Sequence, residues 1–275
     1  MRPRVGHIEF INCLPLYYGL VKKQVLWDVE LTKDTARELS HKLMEEKLDI
    51  CPIPSIEYAR HWRELVLLPG LSVSCDGPVT SIFLVSKVPI HELNGRKIAL
   101  TNTSRTSQVL LKIILHDKYH IESEYVESPP NLGSMLLDAD AALLIGNEAL
   151  AIHYKAPEGL YAYDLGVEWK ALTQQKMVFA VWVARKKFAQ EKLQLVRDVQ
   201  HSFVDSMQYS ITHVDQVAED AARWEVFDAN FLKAYFTTLR FGFDQEYQQG
   251  LMEYYRRAQA LGHIAEIPEL NFLEV

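Results

Sequence analysis

The sequence predicts an α/β protein of two lobes, with a central cleft between them and two hinge strands that join them. Three observations favour this fold class. Strand and helix signals alternate through the first half of the chain, as they do in parallel βαβ units. Polar residues follow the ends of several of these strands, where open α/β sheets bind ligands. From about residue 185 onward the pattern is helical.

The first βα unit places Asn12 at its turn. An apolar strand over residues 5–11 runs into Asn12, and Leu14-Pro15 then opens a helix, with proline at a position where its missing N–H costs nothing. A polar residue between a strand and a helix start is well placed to bind a ligand. Asparagine is also among the best helix caps, so this segment alone leaves both roles open.

The second and third strands follow the same pattern. A strand near 29–31 precedes a capping box formed by Thr35 and Glu38, and a helix then runs to about residue 48. The next strand spans 48–53. Ser55 follows it and is a second polar residue at a strand-to-helix turn. Two further apolar runs cover 65–72 and 80–87.

A linker-like stretch over 88–95 introduces a new βα unit, with a strand at 97–101 and a helix over 107–116. The turn between them is dense in hydroxyl groups and carries one arginine: Thr101, Thr103, Ser104, Arg105, Thr106 and Ser107. One helix cap needs one hydroxyl, so the surplus suits an anion such as a carboxylate. The alternative is a cluster of capping residues.

The remaining elements complete the two lobes. A buried strand over 140–145 ends at Gly146 and Asn147, a third polar strand end, and 164–169 reads as a turn. A strand over 178–184 is long enough to run back to the first lobe. Helices are predicted at 187–212 and 214–225, after Asp228 and at about 245–261, where Gly262 ends the last one.

These elements predict a discontinuous first lobe of residues 1–86 plus 184–275, and a second lobe of residues 87–183 inserted into it. All the polar strand ends are expected to face one cleft. Closure of such a cleft on a ligand would exclude water.

Composition excludes several classes of protein. The 275 residues carry a formal net charge of -7, with a pI near 5.8, which argues against binding to nucleic acid. We predict a cytoplasmic protein without membrane contact, because neither a signal peptide nor an apolar span is evident. Cys13, Cys51 and Cys75 lack ligand spacing and read as buried reduced thiols, so we expect neither a metal site nor a catalytic Cys13.

Several segments together resemble one enzyme family. The chain is similar to the chorismate dehydratases of the futalosine route to menaquinone in the segments VGHIEFINCLPLYYGL, SIEYAR, LLPGLSVSCDGPVTSIFLVSK, ELNGRKIALTNTSRTSQVLLKIIL, DAALLIGNEAL, DLGVEWK, VFAVWVAR and FGFDQEYQQGLMEYYRRAQALG. The family has the fold of type II periplasmic binding proteins. One departure is TQQKM at 173–177, where the family commonly has a TGLP-like turn.

The resemblance implies a reaction and a set of residues. The family removes water from chorismate to give 3-[(1-carboxyvinyl)oxy]benzoate without a cofactor. It implies Asn12 and Ser81 as the catalytic residues, and the hydroxyl turn as the binder of a substrate carboxylate. The full set of expected substrate-binding residues is Ser55, Thr80, Thr101, Ser104, Arg105, Thr106, Ser107, Gly146 and Asn147. Chorismate is the expected partner, and the sequence leaves monomer and homodimer open.

The identity of the base is open. None of the signature strand ends offers a lysine, histidine or aspartate, so we expect the enolpyruvyl carboxylate of the substrate to take the proton. Two other functions compete: a 1,4-dihydroxy-6-naphthoate synthase of the same pathway, and a solute-binding protein for a small carboxylate. The NCLPLY and SIEYAR segments favour the dehydratase, and the missing export signal disfavours the binding protein.

Overall fold

The computed structural model describes residues 2–22 and 29–274. Within these ranges the strands are β1 Arg4–Ile8, β2 Glu30–Asp34, β3 Ile50–Pro54, β4 Leu65–Cys75, β5 Ile82–Ser86, β6 Lys97–Thr101, β7 Glu124–Ser128, β8 Ala141–Ile145, β9 Tyr161–Asp164 and β10 Met177–Arg185. The helices are α1 Leu14–Lys22, α2 Ala36–Met44, α3 Ser55–His61, α4 Arg105–Tyr119, α5 Leu132–Asp138, α6 Gly146–Tyr154, α7 Leu165–Thr173, α8 Lys186–Glu191, α9 Leu193–Thr212, α10 Val214–Ala222, α11 Ala229–Thr238 and α12 Gln245–Ala260. Among these, no helix has the length and apolar character that crossing a membrane requires.

The chain divides into two compact units, and each contains one five-stranded sheet. Unit 1 consists of Met1–Ser74, Val178–Gln245 and Pro268–Val275. Unit 2 consists of Cys75–Met177 and Glu246–Ile267. The α/β fold class predicted from strand and helix alternation is therefore confirmed.

The sheet of unit 1 has the strand order β2-β1-β3-β10-β4. β1 runs parallel to β2 and to β3, whereas β10 runs antiparallel to β3 with Val181 opposite Ile53. Every residue of β3 is buried, as is typical of a strand covered on both faces. The carboxyl ends of β1, β2 and β3 therefore lie at one edge of the sheet, together with the amino end of β10.

The sheet of unit 2 has the order β7-β6-β8-β5-β9. β6 is parallel to β7 and β8, and β5 is antiparallel to both β8 and β9. The carboxyl ends of β6, β8 and β9 therefore share an edge with the amino end of β5. One face of this sheet packs in a core that includes Phe83, Val85, Ala142 and Leu144.

The boundaries of the units differ from those predicted for the lobes. Residues 75–86, predicted in the first lobe, belong to unit 2 because β5 pairs with β8 and β9. Most of α12 also belongs to unit 2. A Cβ on its Gly250 would lie 2.0 Å from the carbonyl oxygen of Lys176, and its Tyr254 hydroxyl donates to the carbonyl oxygen of Thr106 at 3.1 Å. The predicted cleft and hinge strands stay predictions.

Individual elements were predicted with mixed success. Thr35 caps α2 by accepting from the N–H of Glu38, as the capping box indicated. The helix predicted at 187–212 is in fact two helices, because Lys192 has a non-helical backbone. The turn predicted at 164–169 is the end of β9 followed by the start of α7. β7 and α5 were not predicted.

A buried carboxylate fastens three strands of unit 1. Asp49, 2% exposed, immediately precedes β3 and pairs with Arg4 of β1 at 2.7 Å and with Arg185 of β10 at 2.8 Å. Burial alone would raise the pKa of this carboxyl. The hydrogen bonds from Arg4 and Arg185 outweigh burial and hold the pKa below its ordinary value.

This depressed pKa predicts a specific acid sensitivity. The folded pKa lies below the unfolded value of about 3.9, so the stabilisation is fully present above that value and is lost as the pH falls through the folded pKa. We expect the free energy of unfolding to fall more steeply below about pH 4 in the wild type than in Asp49→Asn. Urea denaturation at several pH values checks this, and parallel pH profiles would contradict it.

Candidate functional site

Asn12 lies just beyond the carboxyl end of β1, in a single 3-10 turn over Ile11–Cys13. α1 begins at Leu14 with Pro15 in its first turn, as predicted. The Oδ1 atom of Asn12 is buried and has no hydrogen-bond partner among the described residues. It therefore does not act as a helix cap, which corrects one of the two roles left open by the sequence. A buried amide oxygen without a partner is costly, and such a group calls for an explanation.

His7 and Tyr17 flank a separate apolar cavity. Their rings are in contact, with centroids 3.5 Å apart and planes tilted by 52°, and with Phe203 they line a cavity of about 470 Å³. Burial, assisted by the charge of Lys33, lowers the pKa of His7 to about 4. His7 is therefore neutral at neutral pH and is a weak base.

Cys13 is a free thiol with no exposed surface. Burial raises the pKa of this thiol well above its ordinary value, so the nucleophilic thiolate is disfavoured.

Ser55 is the first residue of α3, directly after β3. Its side chain is fully buried, and its hydroxyl donates to the carbonyl oxygen of Val178 at the start of β10, at 2.8 Å. Ser55 and Asn12 follow neighbouring parallel strands and thus share one edge of the sheet. The hydrogen bond of Ser55 also fastens β3 to β10, which is a structural role that the sequence did not reveal.

Thr80 and Ser81 form the segment that leads into β5. Thr80 has a left-handed backbone with φ of 57°, which is uncommon for a β-branched residue. Ser81 is 1% exposed, and its hydroxyl donates to the carbonyl oxygen of Val79 at a long 3.3 Å. Its own carbonyl oxygen accepts the N–H of Gly146 at 3.0 Å. The backbone here is tightly fixed, whereas the Ser81 hydroxyl has only a weak bond.

Asp164, at the end of β9, is a residue of this edge that the sequence did not single out. Its carboxylate caps α7 and also accepts the N–H groups of Val79 and Thr80. Burial raises the pKa of this carboxyl despite its four N–H donors. The pattern Asp-x-Gly at the start of an amphipathic segment is a cap signal that would have located the helix start, although not the contact with residues 79–80.

The hydroxyl turn after β6 forms two hydroxyl pairs. Ser104 caps α4 by accepting from the N–H of Ser107, and the two hydroxyls are 3.0 Å apart. Thr101 Oγ1 lies 2.8 Å from Thr103 Oγ1, and Thr101 is fully buried. The side chain of Thr106 is also buried. One hydroxyl therefore serves as the cap, as predicted, and the surplus hydroxyls lie beside the helix N-terminus, where an anion is stabilised.

Arg105 is occupied by a neighbour in this structure. Its guanidinium forms an ion pair with Glu127 and lies 3.4 Å from the Oε1 atom of Gln108. An anion would have to compete with Glu127 for Arg105, which the sequence could not reveal because Glu127 lies on β7, an element that was not predicted.

Gly146 and Asn147 open α6 after β8. Gly146 has φ of 63°, a backbone that glycine adopts without steric cost, and its N–H bonds to Ser81. The structure thus brings Thr80, Ser81, Gly146 and Asn147 to the edge of the unit 2 sheet where β6 ends in the hydroxyl turn. Such an edge supplies hydroxyl and N–H donors, which suit a polyoxygenated anion.

Comparisons with known proteins agree on one family and one fold. Residues 3–260 match the menaquinone biosynthesis family. A protein of Thermus thermophilus named chorismate dehydratase is 28% identical over 279 residues, which cover 95% of this chain and 96% of the relative.

Two solved structures illustrate the fold. A protein from Archaeoglobus fulgidus superposes with a TM-score of 0.77 at 20% identity, over 96% of this chain and 98% of its own. The periplasmic aliphatic sulphonate binding protein SsuA of Escherichia coli superposes with a TM-score of 0.70 at 12% identity, over 99% and 92% of the two chains. At these identities the likeness concerns the fold alone, and it confirms the expected periplasmic-binding-protein fold.

Proposed function

The chain belongs to the menaquinone biosynthesis family, and from that premise we propose that it is a chorismate dehydratase. The reaction is the loss of water from chorismate to give 3-[(1-carboxyvinyl)oxy]benzoate. The relative of that name, similar over nearly the whole of both chains, supports this choice. The resemblance of the NCLPLY and SIEYAR segments to the same family supports it independently of the strand and helix pattern.

The main structural support for this function is the Oδ1 atom of Asn12, which is buried without a hydrogen-bond partner among the described residues. Asn12 lies just beyond the carboxyl end of β1. A protein retains such an unmade bond at a free energy cost of about 1–3 kcal/mol. A ligand that donates a hydrogen bond to the Oδ1 atom would remove that cost. So would rotation of the amide that lets its NH₂ group donate to a substrate carboxylate.

Chorismate imposes three chemical demands. Removal of the C3 proton builds negative charge that spreads through the diene into the ring carboxylate, and expulsion of the C4 hydroxyl then yields an aromatic ring. The enzyme needs ligands for two carboxylates, a base near C3 and a donor near the C4 oxygen. We assign Asn12 to the enolpyruvyl group, Ser81 to the departing hydroxyl or the adjacent carboxylate, and the hydroxyl turn to a carboxylate.

The base is the enolpyruvyl carboxylate of the substrate itself in this proposal. His7 is a poor candidate because its pKa is lowered to about 4 and it lines the apolar cavity. Asp164 is a poor candidate because four backbone N–H groups already occupy its carboxylate. Substrate-assisted proton transfer needs no protein base, only a substrate held with its carboxylate close to C3.

This mechanism predicts that two ionisable neighbours of Asn12 are dispensable. We expect Glu9→Gln and His7→Asn each to retain kcat within about threefold, because neither side chain takes the C3 proton. Steady-state rates of chorismate conversion check this, with thermal denaturation as a control for the buried His7. A loss of turnover in a variant that folds and binds chorismate would refute substrate assistance.

The proposed activity has a direct assay. Purified protein is mixed with chorismate, and the product is identified by a mass lower by one water and by an aromatic ultraviolet spectrum. Tight binding of chorismate without conversion would favour the solute-binding alternative. If the protein neither binds nor converts chorismate, the naphthoate synthase alternative is favoured.

A further inference from the structure

One carboxylate links the start of α7 to the segment that carries Ser81. The Oδ1 atom of Asp164 accepts the N–H groups of Gly166 at 2.8 Å and Val167 at 3.1 Å, which cap α7. Its Oδ2 atom accepts the N–H group of Thr80 at 2.7 Å, and the N–H group of Val79 is shared between the two oxygens, at 3.2 Å from Oδ1 and 3.1 Å from Oδ2. A helix cap needs only the first pair of bonds, so the second pair is a separate contact.

The linked segment contains a residue with an unfavourable backbone conformation. Thr80 has a left-handed backbone, which L-residues with branched side chains avoid. The bond from its N–H to a carboxylate is charge-assisted and therefore strong. Its own hydroxyl adds a bond to the carbonyl oxygen of Val79 at 2.8 Å. Asp164 thus compensates for a strained residue directly before Ser81.

The packing around this contact is close. A Cβ on Gly166 would lie 2.3 Å from the carbonyl oxygen of Gly77 and 2.8 Å from the Sγ atom of Cys75. The segment that leads from β4 to Ser81 therefore rests against the first turn of α7. On its other side, Ser81 is held by the bond from the N–H of Gly146 to its carbonyl oxygen, at 3.0 Å.

We infer that Asp164 is a positioning residue for the reaction, because it fixes the backbone that aims the Ser81 hydroxyl. The inference rests on the proposed function, in which Ser81 contacts the substrate. Burial raises the pKa of the Asp164 carboxyl although the N–H donors of both segments oppose this, and protonation would remove one of the acceptors that the two segments share. A misplacement of a reacting group by about 1 Å is enough to cost about 100-fold in rate.

The test uses Asp164→Asn, because asparagine carries one acceptor oxygen and one NH₂ donor and so cannot accept the N–H of Thr80 while its oxygen caps α7. The matched control is Asp228→Asn. Asp228 caps α11 by accepting from the N–H of Phe231 at 2.9 Å. We expect Asp228→Asn to change the melting temperature little, because asparagine caps helices about as well as aspartate, and Asp164→Asn to lower it, because the segment before Ser81 loses an acceptor. Only Asp164→Asn should lower kcat for chorismate, by about 100-fold.

A double-mutant cycle separates positioning from general damage. If Asp164 acts through Ser81, Asp164→Asn should reduce kcat less than about threefold further in a Ser81→Ala background, although it costs about 100-fold alone. The same large factor in both backgrounds would overturn the inference, as would unchanged kcat in Asp164→Asn.

Amide hydrogen exchange gives a readout that does not depend on activity. Asp164→Asn should speed exchange at residues 79–81, and Asp228→Asn should not. Unchanged exchange there would overturn the inference even if chorismate is converted. If the wild type converts no chorismate, the proposed function fails and the catalytic part of the inference fails with it, while exchange still decides whether Asp164 holds this segment.

Discussion

Replacement of Asn12 by alanine is expected to lower kcat for chorismate by about 100- to 1000-fold, the usual cost of one lost transition-state donor. The same variant should not lower the free energy of unfolding, because the buried Oδ1 atom has no hydrogen bond to lose among the described residues and its removal relieves the cost of an unmade bond. Steady-state kinetics and urea denaturation measure the two quantities. Near-normal activity would remove Asn12 from the mechanism.

A second asparagine provides the opposite control. Asn131 caps α5 by accepting from the N–H of Ser134 at 2.9 Å. Asn131→Ala should cost about 0.5–2 kcal/mol of stability, as lost caps do, and leave kcat unchanged. If Asn12→Ala loses activity and keeps its stability, whereas Asn131→Ala loses stability and keeps its activity, the effects on function and on folding are separated. Equal behaviour of the two variants would contradict the assignment.

Replacement of Asp49 by asparagine has the largest expected effect on stability. The change leaves Arg4 and Arg185 without their shared buried counter-charge, and removal of one partner of a buried pair typically costs about 3–5 kcal/mol. We expect about 3 kcal/mol, the lower end, because the Arg4 side chain is 35% exposed. Urea denaturation at neutral pH measures the change.

Glu46 is the matched control for this variant, since it pairs with the same Arg185 at 3.2 Å but is 71% exposed. Glu46→Gln should cost less than about 1 kcal/mol, because solvent screens an exposed pair. A small effect of Asp49→Asn, similar to that of Glu46→Gln, would mean that burial of the carboxylate contributes little to the fastening of β1, β3 and β10.

Local signals in the sequence predicted much of the fold. Proline at a first helical turn and the Thr35 capping box depend on neighbours within a few residues, so the start of α1 and of α2 could be read directly. The pairing between segments that are distant in sequence could not be predicted from such local signals. β5 and most of α12 belong to unit 2 and not to the segments predicted as the first lobe, because they contact β8, β9 and Lys176, which are distant in sequence.

The candidate site shows the same difference between features that are local in sequence and contacts that are not. Each predicted polar residue lies at a strand end because that position is a local feature of a βα unit. The partners of these residues are not local: Ser55 bonds to Val178, and Arg105 pairs with Glu127. Asp164 was missed because its sequence signals a helix cap, whereas its contact with Thr80 spans 84 residues of chain.

The most direct test of the central claim is the conversion of chorismate by the wild type, Asn12→Ala and Asn131→Ala, with binding measured by calorimetry on the same samples. We expect an aromatic product lighter by one water from the wild type and from Asn131→Ala. We expect almost none from Asn12→Ala, although that variant is folded. Binding of chorismate by the wild type with no product, or equal rates for the wild type and Asn12→Ala, would contradict it.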